Sequence, residues 1–501
     1  MLGAIVLLCW LLSPSSKAKL AAEETRRGLR EAGFKLDLSE FDLSSSAEER
    51  SRADAIIAGG RASAGLLPRR ELDLARPIAT NAAVVLHRQQ KLITDYSEDF
   101  WPTLEAGLER ISAKLDAACA AARSGRIRFE PIQSSTGELT VTHLVEVRSL
   151  ASALAARTTF ELHRSNHAAT FSNLLALTRL TTAWDVEPIE ASHYMRFFLA
   201  NMAQKTLWEA LQAQGWSDAE LEELQREWEA PDFFKELPDT AASTRASLLA
   251  LCRYEASQPP MQMAPIRQIA SEMFTSPSRA WEDLRSAGRD SRYRKYGVYE
   301  EEKALLIFLR DRELELKRAV TAAAWAQMRS LPGITNFSSF GGAARSPVAT
   351  RLNARPTGFG LFRQGYGLAR RAAEIETVRR LAVTALALER LRLRTSSYPQ
   401  SLASLFPDYL REIPIDFMDG NSLRYRPISD QTYVLYSTGA DCVDDGGRMM
   451  RTSGPDFGRR EGPDSLWPRA ASEEEAEADL QARLARLRLA AREGFSSPGA
   501  R

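Results

Sequence analysis

The chain has 501 residues, which is too long for a single hydrophobic core, so two or more domains are expected. Its hydrophobic share of 44% and charged share of 26% are typical of a folded protein and exclude wholesale disorder. The 66 basic residues are balanced by 65 acidic ones, and no basic stripe is interleaved with aromatics, so nucleic-acid binding is not expected.

The N-terminus begins with a run of apolar residues, Met1 to Leu12, which is short of the ~20 residues that a membrane-spanning helix needs. The length suits the apolar core of a signal peptide, and Ser16-Lys17-Ala18 has the small-x-small pattern of a cleavage site. A basic stretch before the apolar run is missing. We expect residues 1–18 to be a signal peptide or a truncated membrane anchor, and the bulk of the chain to be periplasmic; a buried N-terminal helix is the alternative.

The four cysteines lie far apart and form no Cys-x-x-Cys pair, so neither a zinc ribbon nor a dithiol redox site is predicted. Cys119 and Cys252 lie in apolar helical contexts and are expected to be buried thiols.

Composition and turn signals divide the rest of the chain into five segments. These are a connector with short helices (19–71), a helical domain (72–332), a linker rich in glycine (333–360), an α+β domain (361–469) and a C-terminal helix with its tail (470–501). The Ser- and Gly-rich parts of the connector, "LSSSAEERS" and "IIAGGRASAG", predict turns and short helices.

The segment 72–332 shows repeated helix signals without a convincing strand pair. Leu144, Val147, Leu150 (with Ala151) and Leu154 form the stripe of an amphipathic helix, and Ser217 with Glu220 forms a capping box. Further helices are expected at about 191–213, 240–256 and 299–328. The predicted fold class is mainly α, an irregular helical array, with a small C-terminal α+β domain.

After the linker, a long helix is expected from about Leu361 to Arg394. The alternating runs "LRYRPI" and "TYVLYST" on either side of "SDQ" predict an antiparallel hairpin. A final helix starts with a capping box of Ser472 and Glu475. Leu480, Leu484 and Leu487 form a narrow apolar seam that is expected to dock on the body or on another chain.

Four segments between Ala382 and Trp467 resemble, in order, the C-terminal globular half of the type II secretion major pseudopilin. They are "ALALERLRLRTSSYPQSLASL", "IPIDFMDGNSLRYR", "YVLYSTGADCVDDGG" and "DSLW". The resemblance covers less than a quarter of the chain and implies a long helix packed on an antiparallel sheet. Phe417 stands where that family has proline, and neither the N-terminus nor the stretch near Leu361 resembles that family's leader sequence. The whole chain is also similar to a group of large bacterial envelope proteins.

The resemblance also implies a calcium site in the acidic loop after the strand "YVLYS". The ligands it implies are the carboxylates of Asp441, Asp444, Asp445 and Asp464 and the backbone carbonyls near Leu435 and Ser437. Adjacent ionised carboxylates repel one another, and a hard divalent cation removes that conflict. Cys442 replaces the family's usual glycine, and an ordinary solvated Asp-Gly turn is the alternative.

Two function classes follow. The first is a non-enzymatic envelope protein that binds protein partners through its helical region and carries a calcium-stabilised, pseudopilin-like module, linked to type II secretion-like assembly. The second is a metal-dependent hydrolase, for which His163 and His167 have a spacing that can present two imidazoles on one helix. Arg164 stands where a zinc protease would have glutamate, so packing or surface histidines are the simpler interpretation.

Overall fold

The computed structural model describes residues 17–67, 78, 81–94, 98–258, 275–334, 367–429, 432–447 and 464–494. The protein is mainly helical, with 63% helix and 13 α-helices in these residues, and has a small antiparallel sheet near the C-terminus. The predicted mainly α class is therefore confirmed. Nearly all of the predicted signal or anchor segment and of the linker lies outside the described residues.

The helices are, in chain order, α1 (Lys17–Glu31), α2 (Ala47–Ser63), α3 (Trp101–Arg123), α4 (Leu144–His163), α5 (His167–Thr182), α6 (Glu190–Leu211), α7 (Asp218–Glu229), α8 (Leu237–Ser257), α9 (Pro277–Arg292), α10 (Val298–Ala319), α11 (Trp325–Met328), α12 (Leu368–Thr395) and α13 (Glu473–Gly494). The strands are β1 (Ala82–Ala83), β2 (Ile132–Gln133), β3 (Leu139–Thr140), β4 (Arg424–Ser429), β5 (Thr432–Ser437), β6 (Ser465–Trp467) and β7 (Arg469–Ala470).

The central helices follow the sequence signals closely. On α4, Val147, Leu150 and Leu154 of the predicted stripe are fully buried against α2, α5 and α6, and Leu144 at the start of the helix is half-buried against the same core. At the start of α7, Ser217 Oγ accepts from the amide of Glu220, and the Glu220 carboxylate accepts from the amide of Ser217. Both predictions are confirmed because the helical period and the cap are local properties of the chain.

One 17-residue helix, α2, replaces the turns and short helices expected in the connector. Gly59 and Gly60 lie inside it, at the contacts with α3 and α4. A Cβ at Gly60 would lie 2.1 Å from the carbonyl oxygen of Glu146, and one at Gly59 would lie 2.4 Å from Ala118 Cβ. The pair therefore permits close helix packing and does not mark a turn.

Helix α8 packs against α10, which also contacts α1. The helix predicted from Tyr299 to Met328 is divided, because α10 ends at Ala319 and α11 begins only at Trp325. The first amides of α11 donate to the C-terminal part of the chain: Trp325 N to the carbonyl of Phe417 and Ala326 N to that of Met418, both at 2.8 Å. The start of α11 is therefore held by residues that are far away in the sequence.

The C-terminal segment packs directly on the helical part. Helix α12 contacts α6 and α7 on one side and β5 on the other, and one continuous hydrophobic core includes residues from both sides of the predicted linker. The indole of Trp208 on α6 donates from Nε1 to the carbonyl of Pro468 at 2.7 Å. Strand β1 pairs in parallel with β7 through Ala82 and Arg469.

The predicted hairpin is confirmed: β4 and β5 are antiparallel with Tyr425 opposite Leu435, and β6 adds on the other side of β5. The expectation of no strand pair within 72–332 needs a correction, since β2 and β3 form a two-residue antiparallel ladder there. Such a short pair leaves no readable alternation in the sequence.

Helix α13 begins with the predicted capping box of Ser472 and Glu475. Its seam residues Leu480, Leu484 and Leu487 are half-buried, and Ala476 in the first turn is buried in the core. No helix in the described part of the chain is both long and apolar enough to cross a bilayer.

Candidate functional site in the acidic C-terminal loop

The acidic loop follows β5 and runs from Thr438 to Gly447. Its backbone turns through left-handed conformations at Gly439, Cys442, Gly446 and Gly447, with φ of 69°, 60°, 74° and 72°. Cys442 is thus a non-glycine residue in a conformation that favours glycine, at the position where the resemblance expects one. Its Sγ donates to the carbonyl of Met418 at 3.3 Å.

A buried carboxylate beneath this loop, Asp416, holds the end of β5 in place. Asp416 has no exposed surface and accepts from Ser437 Oγ at 2.6 Å and from the amide of Thr438 at 3.0 Å. The amide of Met418 and the guanidinium of Arg424 also donate to it, at 2.9 and 3.0 Å. A buried carboxylate needs this number of donors to offset its desolvation.

Arg424 on β4 contacts three carboxylates at once. Its guanidinium contacts Asp416 at 3.0 Å, Asp419 at 2.5 Å and Asp444 at 3.2 Å. Burial raises the pKa of Asp419, but hydrogen bonds from Arg424 and Asn421 outweigh burial and lower it to about 2. An internal cation therefore offsets part of the repulsion among the loop carboxylates.

Asp464 lies just before β6 and closes the loop from the other side. Its Oδ2 accepts from the amides of Asp445 at 3.1 Å and Gly447 at 2.7 Å. Its Oδ1 is buried and has no hydrogen-bond partner among the described residues. Burial raises the pKa of Asp464, the nearby carboxylates of Asp444 and Asp445 add to this, and the two amide bonds oppose it.

The structure brings three of the predicted calcium ligands close together, whereas the other three have different roles. Asp444, Asp445 and Asp464 interact electrostatically, and Asp445 is exposed with no partner for its carboxylate in the described ranges. Asp441 instead caps the amide of Val443.

Leu435 and Ser437, whose backbone carbonyls are predicted calcium ligands, belong to the sheet. Leu435 lies in its central strand and pairs with both neighbours, and the Ser437 hydroxyl donates to Asp416. Across the described parts of the chain, no group of three or more His, Cys, Asp or Glu residues is arranged to hold a metal.

The two histidines of the hydrolase hypothesis lie on different helices. His163 ends α4, where its ring stacks on Trp101 at 4.2 Å and its Nδ1 lies 2.8 Å from the carbonyl of His87. His167 begins α5 and its Nε2 contacts the carbonyl of Gln214. The premise of one helix presenting both rings is wrong, because the chain breaks the helix at Ser165 with φ 57°.

Comparisons with protein-family models, curated proteins and solved structures yield no match to this chain.

Sequence reasoning missed Asp416 and Arg424, which form hydrogen bonds with the loop residues Thr438 and Asp444. The signal was present in "IDFMDGNSLRYR", where two aspartates precede an arginine on an alternating strand. Their meeting depends on the register of β4 against β5, which places Arg424 opposite Tyr436 and beside the loop.

Proposed function

We propose that the chain is a non-enzymatic envelope protein, exported or anchored through its N-terminal segment, that binds protein partners through its helical region. In this proposal the C-terminal segment is a calcium-stabilised, pseudopilin-like interaction module linked to type II secretion-like assembly. The export part rests on the apolar run from Met1 to Leu12. The module part rests on the four ordered sequence segments and on the helix-and-sheet architecture formed by α12 and β4–β6.

The carboxylate of Asp464 carries the calcium part of the proposal. A buried oxygen without a donor is costly, and the nearby negative charges of Asp444 and Asp445 add to that cost. A calcium ion would supply the missing positive charge and would accept oxygen ligands of this kind. Asp464 and Asp445 would hold it, while Asp444 is shared with Arg424 and Tyr436.

Arg424 provides the competing explanation for the same loop. If its guanidinium offsets the loop carboxylates without help, the loop needs no metal and is a solvated turn with an internal counterion. The two explanations differ in the partner of Asp464, which Arg424 does not contact in the described structure.

The test is thermal unfolding of the full chain with calcium and then with excess chelator, because the C-terminal segment shares its core with the helices. Calcium at about 100 times its dissociation constant should stabilise the protein by about 2.7 kcal/mol and raise the melting temperature. Asp464→Asn should abolish the rise. Glu412→Gln, which removes an exposed charge in the same segment, should leave it intact.

Identical melting curves with calcium and chelator would contradict the calcium site and would leave Arg424 as the cation of the loop. A calcium effect that survives Asp464→Asn would place the ion elsewhere and remove the observation on which the proposal depends.

A further inference from the structure

One side of helix α9 carries an exposed tryptophan and three exposed arginines. Trp281 is 56% exposed, and Arg285, Arg289 and Arg292 follow it at steps of four, four and three residues. Residues at this spacing lie on one side of a helix. Glu282, which is also exposed, lies at the edge of this side and leaves it with a net positive charge. We call the tryptophan and the three arginines the α9 face.

The α9 face forms only when the segment is helical. In the sequence "WEDLRSAGRDSR" the arginines are separated by acidic and small residues, and the chain as a whole has a net charge of +1. The helical period collects the arginines on one side. Because the face holds a single aromatic residue, it differs from the interleaved basic and aromatic surfaces that are typical of nucleic-acid binding.

Helix α9 continues into a helix that is fixed in the body of the protein. The backbone stays helical through a π-helical turn, Tyr293–Gly297, and into α10. At 1.5 Å per residue, the 16 residues of α9 span about 24 Å before that turn. Helix α10 packs on α8 and α1. The α9 face is therefore presented by the first half of a long helix whose second half is held by packing.

Helix α1 begins on the same side of the body as α9. Arg26 of α1 pairs at 3.0 Å with the buried Glu302 near the start of α10, and Leu29 clusters with Leu306 one turn further along. The two helices therefore run parallel, and α1 also contacts the π-helical turn that joins α9 to α10. The N-terminal apolar run precedes α1 in the sequence, so it is connected to the body at this side.

An anionic lipid surface matches both kinds of residue in the α9 face. Guanidinium groups are attracted to the lipid phosphates, and an indole ring is favourable between the headgroups and the acyl chains. An apolar anchor that is too short to span a bilayer gains from a second, basic contact, because weak membrane signals act together. An acidic protein partner would use the arginines but would give no role to the neighbouring apolar run.

We propose that the α9 face binds the surface of a membrane that contains anionic lipid, with its arginines at the phosphate groups and Trp281 at the interface. The inference deepens the proposed envelope location and rests on it for the role of the apolar run. The charge and the exposure of the α9 face do not depend on that location.

The test is co-sedimentation of the full chain with vesicles of phosphatidylcholine alone and with vesicles that also contain phosphatidylglycerol. Binding to the neutral vesicles reports on the apolar run, and the additional affinity for the anionic vesicles reports on the α9 face, so the two can fail separately. We expect the anionic vesicles to bind at least tenfold more tightly, and this difference to shrink at high salt.

The triple variant Arg285→Gln/Arg289→Gln/Arg292→Gln should lose most of the additional affinity, because each arginine near such a surface contributes about fivefold. Trp281→Ala should weaken binding to the anionic vesicles and keep its salt dependence, since it removes the indole and no charge. All four side chains are exposed, so these variants should fold, and melting temperatures are measured alongside.

The matched control is Arg110→Gln/Arg123→Gln/Arg411→Gln, which removes three exposed arginines outside α9 and should keep the additional affinity. Equal affinity of wild type for neutral and anionic vesicles would overturn the proposal. An unchanged affinity of the α9 triple variant for anionic vesicles would also overturn it, because other residues would then bind the lipid. A short DNA duplex that binds more tightly than the anionic vesicles, and only with the three arginines present, would assign the face to nucleic acid instead.

Discussion

The close packing of α2 at Gly60 allows a sharp test of the helical body. A methyl group added at Gly60 would meet three backbone atoms of Glu146: the oxygen at 2.1 Å, the carbonyl carbon at 2.5 Å and Cα at 2.9 Å. Ordinary contacts between such atoms are more than about 1 Å longer than the shortest of these. Because the obstacle is backbone, no side-chain rotation relieves it, and α2 must move away from α4.

Overpacking of this kind costs about 1–3 kcal/mol, and a backbone obstacle places Gly60→Ala at the upper end. The higher helix propensity of alanine relative to glycine adds about 1 kcal/mol to the free energy of unfolding. The net loss is therefore about 2 kcal/mol. Gly28→Ala on the exposed face of α1 is the matched control, since its Cβ meets nothing within 4 Å. It should gain about 0.5–1 kcal/mol.

The assay is urea unfolding of the full chain, followed by far-ultraviolet circular dichroism and compared as transition midpoints. Gly60→Ala should unfold at lower urea than wild type, and Gly28→Ala at equal or higher urea. If Gly60→Ala matches or exceeds wild type while Gly28→Ala behaves as expected, α2 does not pack on α4 through its glycines and the reasoning is refuted.

Two further perturbations act on buried polar groups. Burial, with a smaller contribution from Arg196, lowers the pKa of His193 from 6.5 to about 3, so the folded chain keeps this ring neutral while the unfolded chain protonates it. The free energy of unfolding should then fall as pH drops below 6.5, by up to about 1.4 kcal/mol per pH unit. His193→Leu should reduce this pH dependence when both proteins are unfolded with urea at pH 7, 6 and 5. An equal pH dependence of wild type and variant would contradict a neutral, buried His193. Asp416→Asn should lower stability by about 3 kcal/mol, because several donors around a fully buried charge lose their acceptor, and a midpoint equal to that of wild type would mean that the loop is held in another way.

The sequence alone determined the local structure of this protein. The stripe on α4, the caps of α7 and α13, the long helix α12 and the hairpin of β4 and β5 follow from period, caps and alternation within a few residues. The mainly α class follows from the sum of these signals. Each of these elements depends on residues that are close along the chain, so it can be predicted without knowledge of the tertiary structure.

The tertiary structure decided everything that joins distant segments. Gly59 and Gly60 lie in the middle of α2, where their lack of a side chain lets α3 and α4 pack closely. Helix α11 is separate from α10, and its first amides donate hydrogen bonds to the carbonyls of Phe417 and Met418. The acidic loop depends on Arg424, which the sequence placed merely on a strand. The complete burial of Asp416 beneath the acidic loop also depends on the fold, since burial is a property of the packed chain and not of the neighbouring residues in the sequence.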